Sequence, residues 1–280
     1  MEWIHLREEE FDDAVKKSGG VCVIPMGCVE AHGQHLPLGC DTIKAKEFTV
    51  RAAEREPVCV FPSMYFGEKS GAGEFKGTII FPQRLIMDIL EQSCIEIARN
   101  GFKKIVIINA HGGNKNIVGT FVRSIVQKNY DFLVYSYYQS MPVPSLILSE
   151  LEKYPYLTEE DINILKSHGS KHSGHGCFTE TGWLYDIMPE RVRLDRAEQV
   201  DGTSTHLFDE FDNLGLYTPF AWMGNYPNSY EGDFHAGMNE RIARAMGERT
   251  VSQTAEMFKF LKNETISVEY HKQWLKKNFG

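Results

Sequence analysis

Four short runs in this chain are apolar at nearly every position, and amphipathic helical patterns lie between them. The runs are Val21-Cys22-Val23-Ile24-Pro25, Val58-Cys59-Val60-Phe61-Pro62, Lys104-Ile105-Val106-Ile107-Ile108-Asn109 and Phe132-Leu133-Val134-Tyr135-Ser136-Tyr137. A strand with one wet face alternates apolar and polar residues. A run without alternation suits a parallel sheet covered on both sides. Helices fit the intervals. Residues 42–56 set Ile43, Ala45, Phe48 and Ala52 on one side. Residues 83–100 space Leu85, Ile86, Ile89, Leu90 and Ile97 by threes and fours before a stop at Gly101. Residues 114–129 do the same with Ile117, Val118, Phe121, Val122 and Ile125. The alternation predicts a three-layer α/β/α sandwich with a mostly parallel central sheet and right-handed crossovers. The stretch 139–160, broken by Pro142, Pro144 and Pro155, reads as an excursion within one domain spanning 1–280, because the polar clusters on either side look like parts of one site. Residues 236–262 read as a long closing helix, and 263–280 as a polar tail with no clear element.

Composition excludes several classes. Lys and Arg total 30 against 38 Asp and Glu, a formal charge of −8. A chain of that charge without a basic run is a poor match for nucleic acid. No apolar stretch approaches the roughly 18 residues of a membrane span. The start, Met1-Glu2-Trp3-Ile4-His5, lacks the pattern of a signal peptide. Six cysteines are too sparse for a disulfide scaffold, and none forms a CxxC pair. Together these predict a reduced, cytoplasmic protein.

Chemistry concentrates in three segments. The first, Gly27 to Asp41, follows a predicted strand and carries Glu30, His32, His35 and Asp41. In an open α/β sheet, ligands bind beyond the carboxyl ends of the strands, so these groups are expected on a loop in the right place. Imidazoles mixed with carboxylates suit zinc, manganese or iron better than calcium. The second, Asn109-Ala110-His111-Gly112-Gly113-Asn114, also follows a strand and leads into a helix. The third runs from His168 through His172 and His175 to Glu180 and Thr181, with Glu180 placed in the first turn of a short helix. Six of the ten histidines lie in these segments. Two histidines and three carboxylates as ligands, with further histidines for proton transfer, match the inventory of a dinuclear hydrolase site, with Asp41 as the candidate bridge. Cys22, Cys59 and Cys94 read as core residues. Cys28 and Cys40 flank the metal loop, and no cysteine has the surroundings of a nucleophile.

The Glu-x-His-Gly-x-His-Leu-Pro-x-x-x-Asp run at 30–41, the His-Gly-Gly-Asn at 111–114, the His-x4-Glu-Thr at 175–181 and Gly77-Thr78-Ile79 together resemble the creatininase (creatinine amidohydrolase) family over about residues 20–260. The resemblance implies a three-layer α/β fold, two divalent metal ions per chain (Zn, Mn or Fe) and hydrolysis of non-peptide C–N bonds in cyclic amides or formamides. It also implies a homohexamer. Carried over, Glu30 and His111 would hold one ion, His32 the other, and Asp41 would bridge them. Glu180 would complete the second site, and His175 would handle protons. The sequence departs from creatininase proper at Gly113, where the family has a glutamate ligand. It departs again at Gly176-Cys177-Phe178, at Ala72 and at Lys76. These positions line the expected pocket, so creatinine itself is not the expected substrate. Trp183 and Trp222 are candidates for an aromatic clamp.

The expectation is a dinuclear hydrolase of a small molecule. Metal-activated water would attack, His175 would act as general acid, and the amides around Gly112 and Gly113 would offer an oxyanion site. Its competitors are metal-dependent C–C hydrolysis of a cyclic ketone, trimming of a small peptide, and a metal-binding relative without turnover.

Overall fold

The structure, a computed structural model, describes residues 1–280 except 70, 72, 140–142, 170–173, 198, 200 and 233–236. Four strands form the sheet: β1 (Val21–Met26), β2 (Cys59–Val60), β3 (Lys104–Asn109) and β4 (Leu133–Tyr138). Their order is β2-β1-β3-β4, and every pairing is parallel. The twelve helices described are α1 (Phe11–Lys17), α2 (Cys40–Arg55), α3 (Gln83–Arg99), α4 (Asn114–Val126), α5 (Val143–Leu148), α6 (Glu159–Gly169), α7 (Phe178–Ile187), α8 (Leu194–Ala197), α9 (Asp209–Asn213), α10 (Phe220–Asn225), α11 (Glu240–Asn263) and α12 (Ile266–Phe279).

Side chains alternate across each strand, and both faces find cover. Val21 and Val23 of β1, with Val106 and Ile108 of β3, join a cluster with Phe48 of α2, Trp183 and Leu184 of α7 and Ile242 and Met246 of α11. Cys22, Ile24 and Met26, with Ile105 and Ile107, join the opposite cluster with Ile86 and Leu90 of α3 and Phe121 of α4. The β1 and β3 runs therefore lack alternation because neither of their faces meets water, as the sequence predicts, whereas the edge strand β4 buries only Val134 and leaves Ser136 exposed.

Some expectations need correction. Asp41 lies in the first turn of α2, not on the preceding loop. The second strand keeps only Cys59–Val60 of its predicted five residues. The polar tail forms α12, whose face includes no buried residue and so gives little apolar signal. His168 ends up on a helix, α6, in spite of the glycine that follows it. His172 and Ala72 lie outside the described residues.

The junction of α11 and α12 is held by a buried ion pair. Lys104 Nζ at the start of β3 donates to Leu261 O at 2.6 Å and pairs with Glu264 Oε1 at 2.9 Å. Ser267 donates to Glu264 through both its amide and its hydroxyl. Burial alone would raise the Glu264 carboxyl, but the bonds from Lys104 and Ser267 outweigh it and hold the group down at about 2. A depressed carboxylate stabilises the fold above its unfolded pKa near 4.3, and that contribution disappears as pH falls through the folded value. Glu264→Gln is expected to lower the unfolding free energy at pH 7 by about 2 kcal/mol. The gap from wild type should close in denaturant titrations near pH 2. A gap unchanged with pH would mean that charge plays no part at this junction.

Candidate metal centre

β2 lies on one side of β1 and β3 on the other, so the strand order reverses at the β1/β3 pair. Ligands of open α/β sheets bind at the carboxyl ends of such a pair, and both motif loops leave from there. The loop after β1 is pressed onto the start of α2. A Cβ on Gly27 would come within 2.3 Å of Thr42 N and 2.5 Å of Asp41 C, so only glycine allows this approach. It brings Asp41 in beside Glu30. Gly77-Thr78-Ile79 braces the same loop, through Ala31 N to Thr78 Oγ1 at 3.3 Å and Ile79 N to Val29 O at 2.9 Å.

Glu30, Asp41 and His111 meet below the surface. His111 Nδ1 is 3.0 Å from Glu30 Oε1 and 2.9 Å from Asp41 Oδ2. Cys28 Sγ is 3.4 Å and 3.2 Å from the same two oxygens. Candidate ligand atoms of all four residues lie within 4.8 Å of one another. The orientation of His111 is fixed from outside. Its Nε2 is 2.9 Å from Glu68 O. A carbonyl only accepts, so Nε2 carries the hydrogen, and a neutral ring turns the Nδ1 lone pair onto two carboxylate oxygens. That arrangement is repulsive unless a proton or a metal cation lies between: burial opposes a charged ring, but Cys28, Glu30 and Asp41 raise His111 well above the usual imidazole range. A carbonyl-anchored imidazole facing carboxylates is the outer support typical of metal-ligating histidine. The donor set therefore fits a divalent ion.

A second group adjoins the first. His32 Nδ1 is 3.1 Å from Glu30 O, so a neutral ring would turn its Nε2 lone pair inward; without a metal, Cys40 and Asp41 outweigh burial and raise the ring well above the usual imidazole range, so that it carries a charge. Nε2 is buried without a hydrogen-bond partner, 3.7 Å from Asp41 Oδ1 and 3.6 Å from Glu180 Oε2. Glu180, in the first turn of α7, also accepts from Gly176 N at 2.7 Å. Position 113 offers no further ligand. A Cβ there would lie 2.5 Å from His111 Nε2 and 2.8 Å from Glu68 O, so a side chain could enter only by displacing the support of His111.

His175 stands over both groups. Its Nε2 donates to Ala31 O at 2.6 Å, and its Nδ1 faces Glu30 Oε1 at 3.8 Å. Its ring lies 4.1 Å from that of His32 and meets Trp222 edge-on at 5.1 Å. Burial, reinforced by the charge of His32, pushes His175 down to about 4, so it is neutral at pH 7. Burial would raise Glu30, but the imidazoles of His175 and His111 and the ammonium of Lys69 hold it well below the usual carboxylate range. With His175 neutral at pH 7, His111 and Lys69 carry that effect there.

All five expected ligands and His175 thus come together. His35 does not join them. It straps the loop to α7 through Gly176 O at 3.0 Å and Thr181 Oγ1 at 3.1 Å. His168 stacks on Phe178 at 3.8 Å. Two lysines at the centre were not anticipated. Lys69 pairs with Glu30 Oε2 and lies 4.6 Å from the Trp222 ring centroid. Lys44, buried on α2, pairs with Asp41 Oδ1 at 2.9 Å and with Glu180 Oε1. A signal for Lys44 was present: with Asp41, Ala45, Phe48 and Ala52 it lies on the helical stripe facing inward.

A cavity of about 1030 Å³ opens onto the cluster. His111, His175 and Glu180 form part of its lining, and Gly112 and Gly113 lie on its wall. The opposite side comes from residues 204–231, including Tyr217 and Trp222. Of the two tryptophans, Trp183 is a packed residue, 2% exposed, whose Nε1 donates to Thr250 Oγ1 at 2.8 Å. Trp222 stands on the cavity wall, its Nε1 bound to Glu231 Oε2 at 3.0 Å.

Comparison with known proteins identifies a family and a fold. The model of the family described as creatininase, creatinine amidohydrolase, matches residues 5–258. The chain is similar to a creatinine amidohydrolase from Pseudomonas putida, 24% identical over 68% of this chain and 72% of that protein. It is also similar to a 3-dehydro-scyllo-inosose hydrolase from Thermotoga maritima, 23% identical over 75% of this chain and 64% of that protein. A solved creatininase structure described as the manganese form superposes with a TM-score of 0.72 at 20% identity, over 94% of this chain and 99% of that one.

Proposed function

The chain belongs to the creatininase family of hydrolases, and on that premise we propose that it is a metal-dependent hydrolase of a C–N bond in a small cyclic amide or formamide other than creatinine. The observation that carries the reading is His111 Nδ1, held by Glu68 O so that it faces Glu30 and Asp41 together. Glu30, Asp41 and His111, with the Cys28 sulfur beside them, would hold a divalent ion. Such an ion supplies a Lewis acid and lowers the pKa of its bound water toward neutrality. The thiol makes zinc or iron a better match than manganese. The expected second ion would fall to His32, Asp41 and Glu180.

The rest of the chemistry belongs to the chain. His175, neutral and with Nε2 committed to Ala31 O, presents Nδ1 as a base. It takes a proton from the attacking water and returns it to the departing nitrogen, so it acts as general acid only after acting as base. Gly112 and Gly113, at the start of α4, offer amides for the developing oxyanion. Trp222 supplies a flat wall against which a planar ring can lie.

We read 1–280 as one catalytic domain acting in the cytoplasm, where its buried cysteine thiols would stay reduced. No helix among the described residues is long and apolar enough to cross a membrane. The homohexamer expected by resemblance is part of the same reading. It is supported by Leu207, Leu214, Leu216, Tyr217 and Phe220, all exposed on the segment whose Tyr217 and Trp222 line the cavity, where a second copy would cover them.

Dialysis against a chelator is expected to abolish hydrolysis of the active member of a lactam and formamide panel, and zinc or manganese to restore it. Protein that never binds metal would sink the proposal. The Thermotoga maritima relative supports a second reading, in which the bond broken is C–C in a cyclic ketone. Adding cyclic diketones and keto-inositols to the panel separates the two.

A further inference from the structure

The second ligand group already contains a cation. Lys44 Nζ lies 2.9 Å from Asp41 Oδ1 and bonds Glu180 Oε1, so it bridges the two carboxylates that an ion there would need. Resting on the metal-dependent reading above, we propose that the Lys44 ammonium permanently takes the place of the second metal, so that this chain works with one ion, held by Cys28, Glu30, Asp41 and His111.

Geometry and charge both point this way. A zinc-sized ion bound by Asp41, Glu180 and His32 would lie about 2.0–2.2 Å from each ligand atom. It would compete with the ammonium for Asp41 Oδ1 and share the Glu180 carboxylate with it, and the two like charges would sit a few ångström apart in a buried site. Lys44 is 2% exposed, it projects from the middle of the first two turns of α2, and the face of Trp183 lies 5.1 Å from Nζ. To make way for an ion, the ammonium would have to turn toward the cavity that it helps to line and give up both carboxylates. The two groups also differ in their donors. The first brings together Cys28, Glu30, Asp41 and His111, whereas the second converges as three residues, His32, Cys40 and Glu180, with no further ligand from position 113. The ammonium answers both Asp41 and Glu180, with one positive charge where a divalent ion would bring two. His32 Nε2 then faces the carboxylates without serving as a ligand.

The test is metal content per chain. Wild-type protein and Lys44→Met, which keeps the length of the side chain without its charge, are stripped, incubated with excess zinc or manganese, desalted and measured by elemental analysis. Calorimetric titration with each metal counts the sites independently. One ion in the wild type and two in Lys44→Met is the expected result. Two ions in the wild type would overturn the inference and leave the hydrolase reading intact. One ion in both would also overturn it, because something other than Lys44 would then exclude the second. No ion in the wild type would remove the hydrolase reading and the inference with it. Should Lys44→Met fail to fold, the wild-type count still decides between one and two.

Discussion

Asp41→Ala is expected to lose bound metal and activity together. Asp41 is the carboxylate common to both ligand groups: Oδ2 faces His111 and Cys28, and Oδ1 faces Lys44 and His32. Loss of an outer partner of a metal ligand typically costs ten- to a hundredfold, so loss of the ligand itself should exceed about a hundredfold in kcat/KM. The variant also leaves Lys44 with Glu180 as its one carboxylate partner among the described residues. Removing one member of a buried ion pair destabilises by about 3–5 kcal/mol, so a lower Tm should accompany the loss. Asp41→Asn separates the two effects. It keeps the shape and one oxygen beside Lys44 while removing the charge, and it should melt closer to wild type yet remain poor in metal. Metal content and rate at the wild-type level in Asp41→Ala would show that the cluster is not the reaction centre.

His175→Ala is expected to behave in the opposite way, retaining metal and losing turnover. His175 reaches Glu30 at 3.8 Å, outside bonding range, and its hydrogen bond goes to Ala31 O. It therefore holds little of the cluster in place. As the proton carrier it should be worth about 10²–10⁴ in kcat, with a smaller change in KM. The ring also packs against His32 and Trp222, so a His175→Gln variant, larger than alanine, checks that lost packing is not the cause. Both variants should be slow and metal-replete. A loss of metal equal to that in Asp41→Ala would make His175 a ligand, and an unchanged kcat would remove it from the mechanism.

The parts of this protein that could be read from sequence are those where one physical requirement dominates. The strands β1 and β3 were legible because burial on both faces leaves an uninterrupted apolar run. Glu30, His32, His111 and Glu180 were legible because the ends of parallel strands and the first turn of a helix are where an α/β sheet exposes reactive groups. Asp41 was recognised but set on a loop, because the close contact through Gly27 that places it on α2 is tertiary. The helix α12 was missed because no buried face imposes a period on it. The roles of Lys44 and Lys69 depend on which carboxylates they meet across the fold, which spacing alone does not report. The exclusion of a side chain at position 113 comes from the Glu68 carbonyl, 45 residues earlier in number, and is likewise invisible in the motif.

The order of these groups along the chain has a consequence for how the protein comes into being. β1 and β3 pair Val21 with Lys104, a contact between distant residues that forms slowly compared with local structure. By the time β3 and its loop have been made, Cys28, Glu30, Asp41 and His111 are all in hand. His175, Glu180 and Trp222 have yet to be made. Synthesis runs from the N-terminus, but a domain folds as a unit, and one face of β1 and β3 is covered by α7 and α11 from the later part of the chain. The ligands of the first group are thus synthesised before the proton carrier and the substrate wall, yet all of them wait on the same C-terminal helices, so that capture of an ion and competence are expected to arrive together when the chain closes over its sheet.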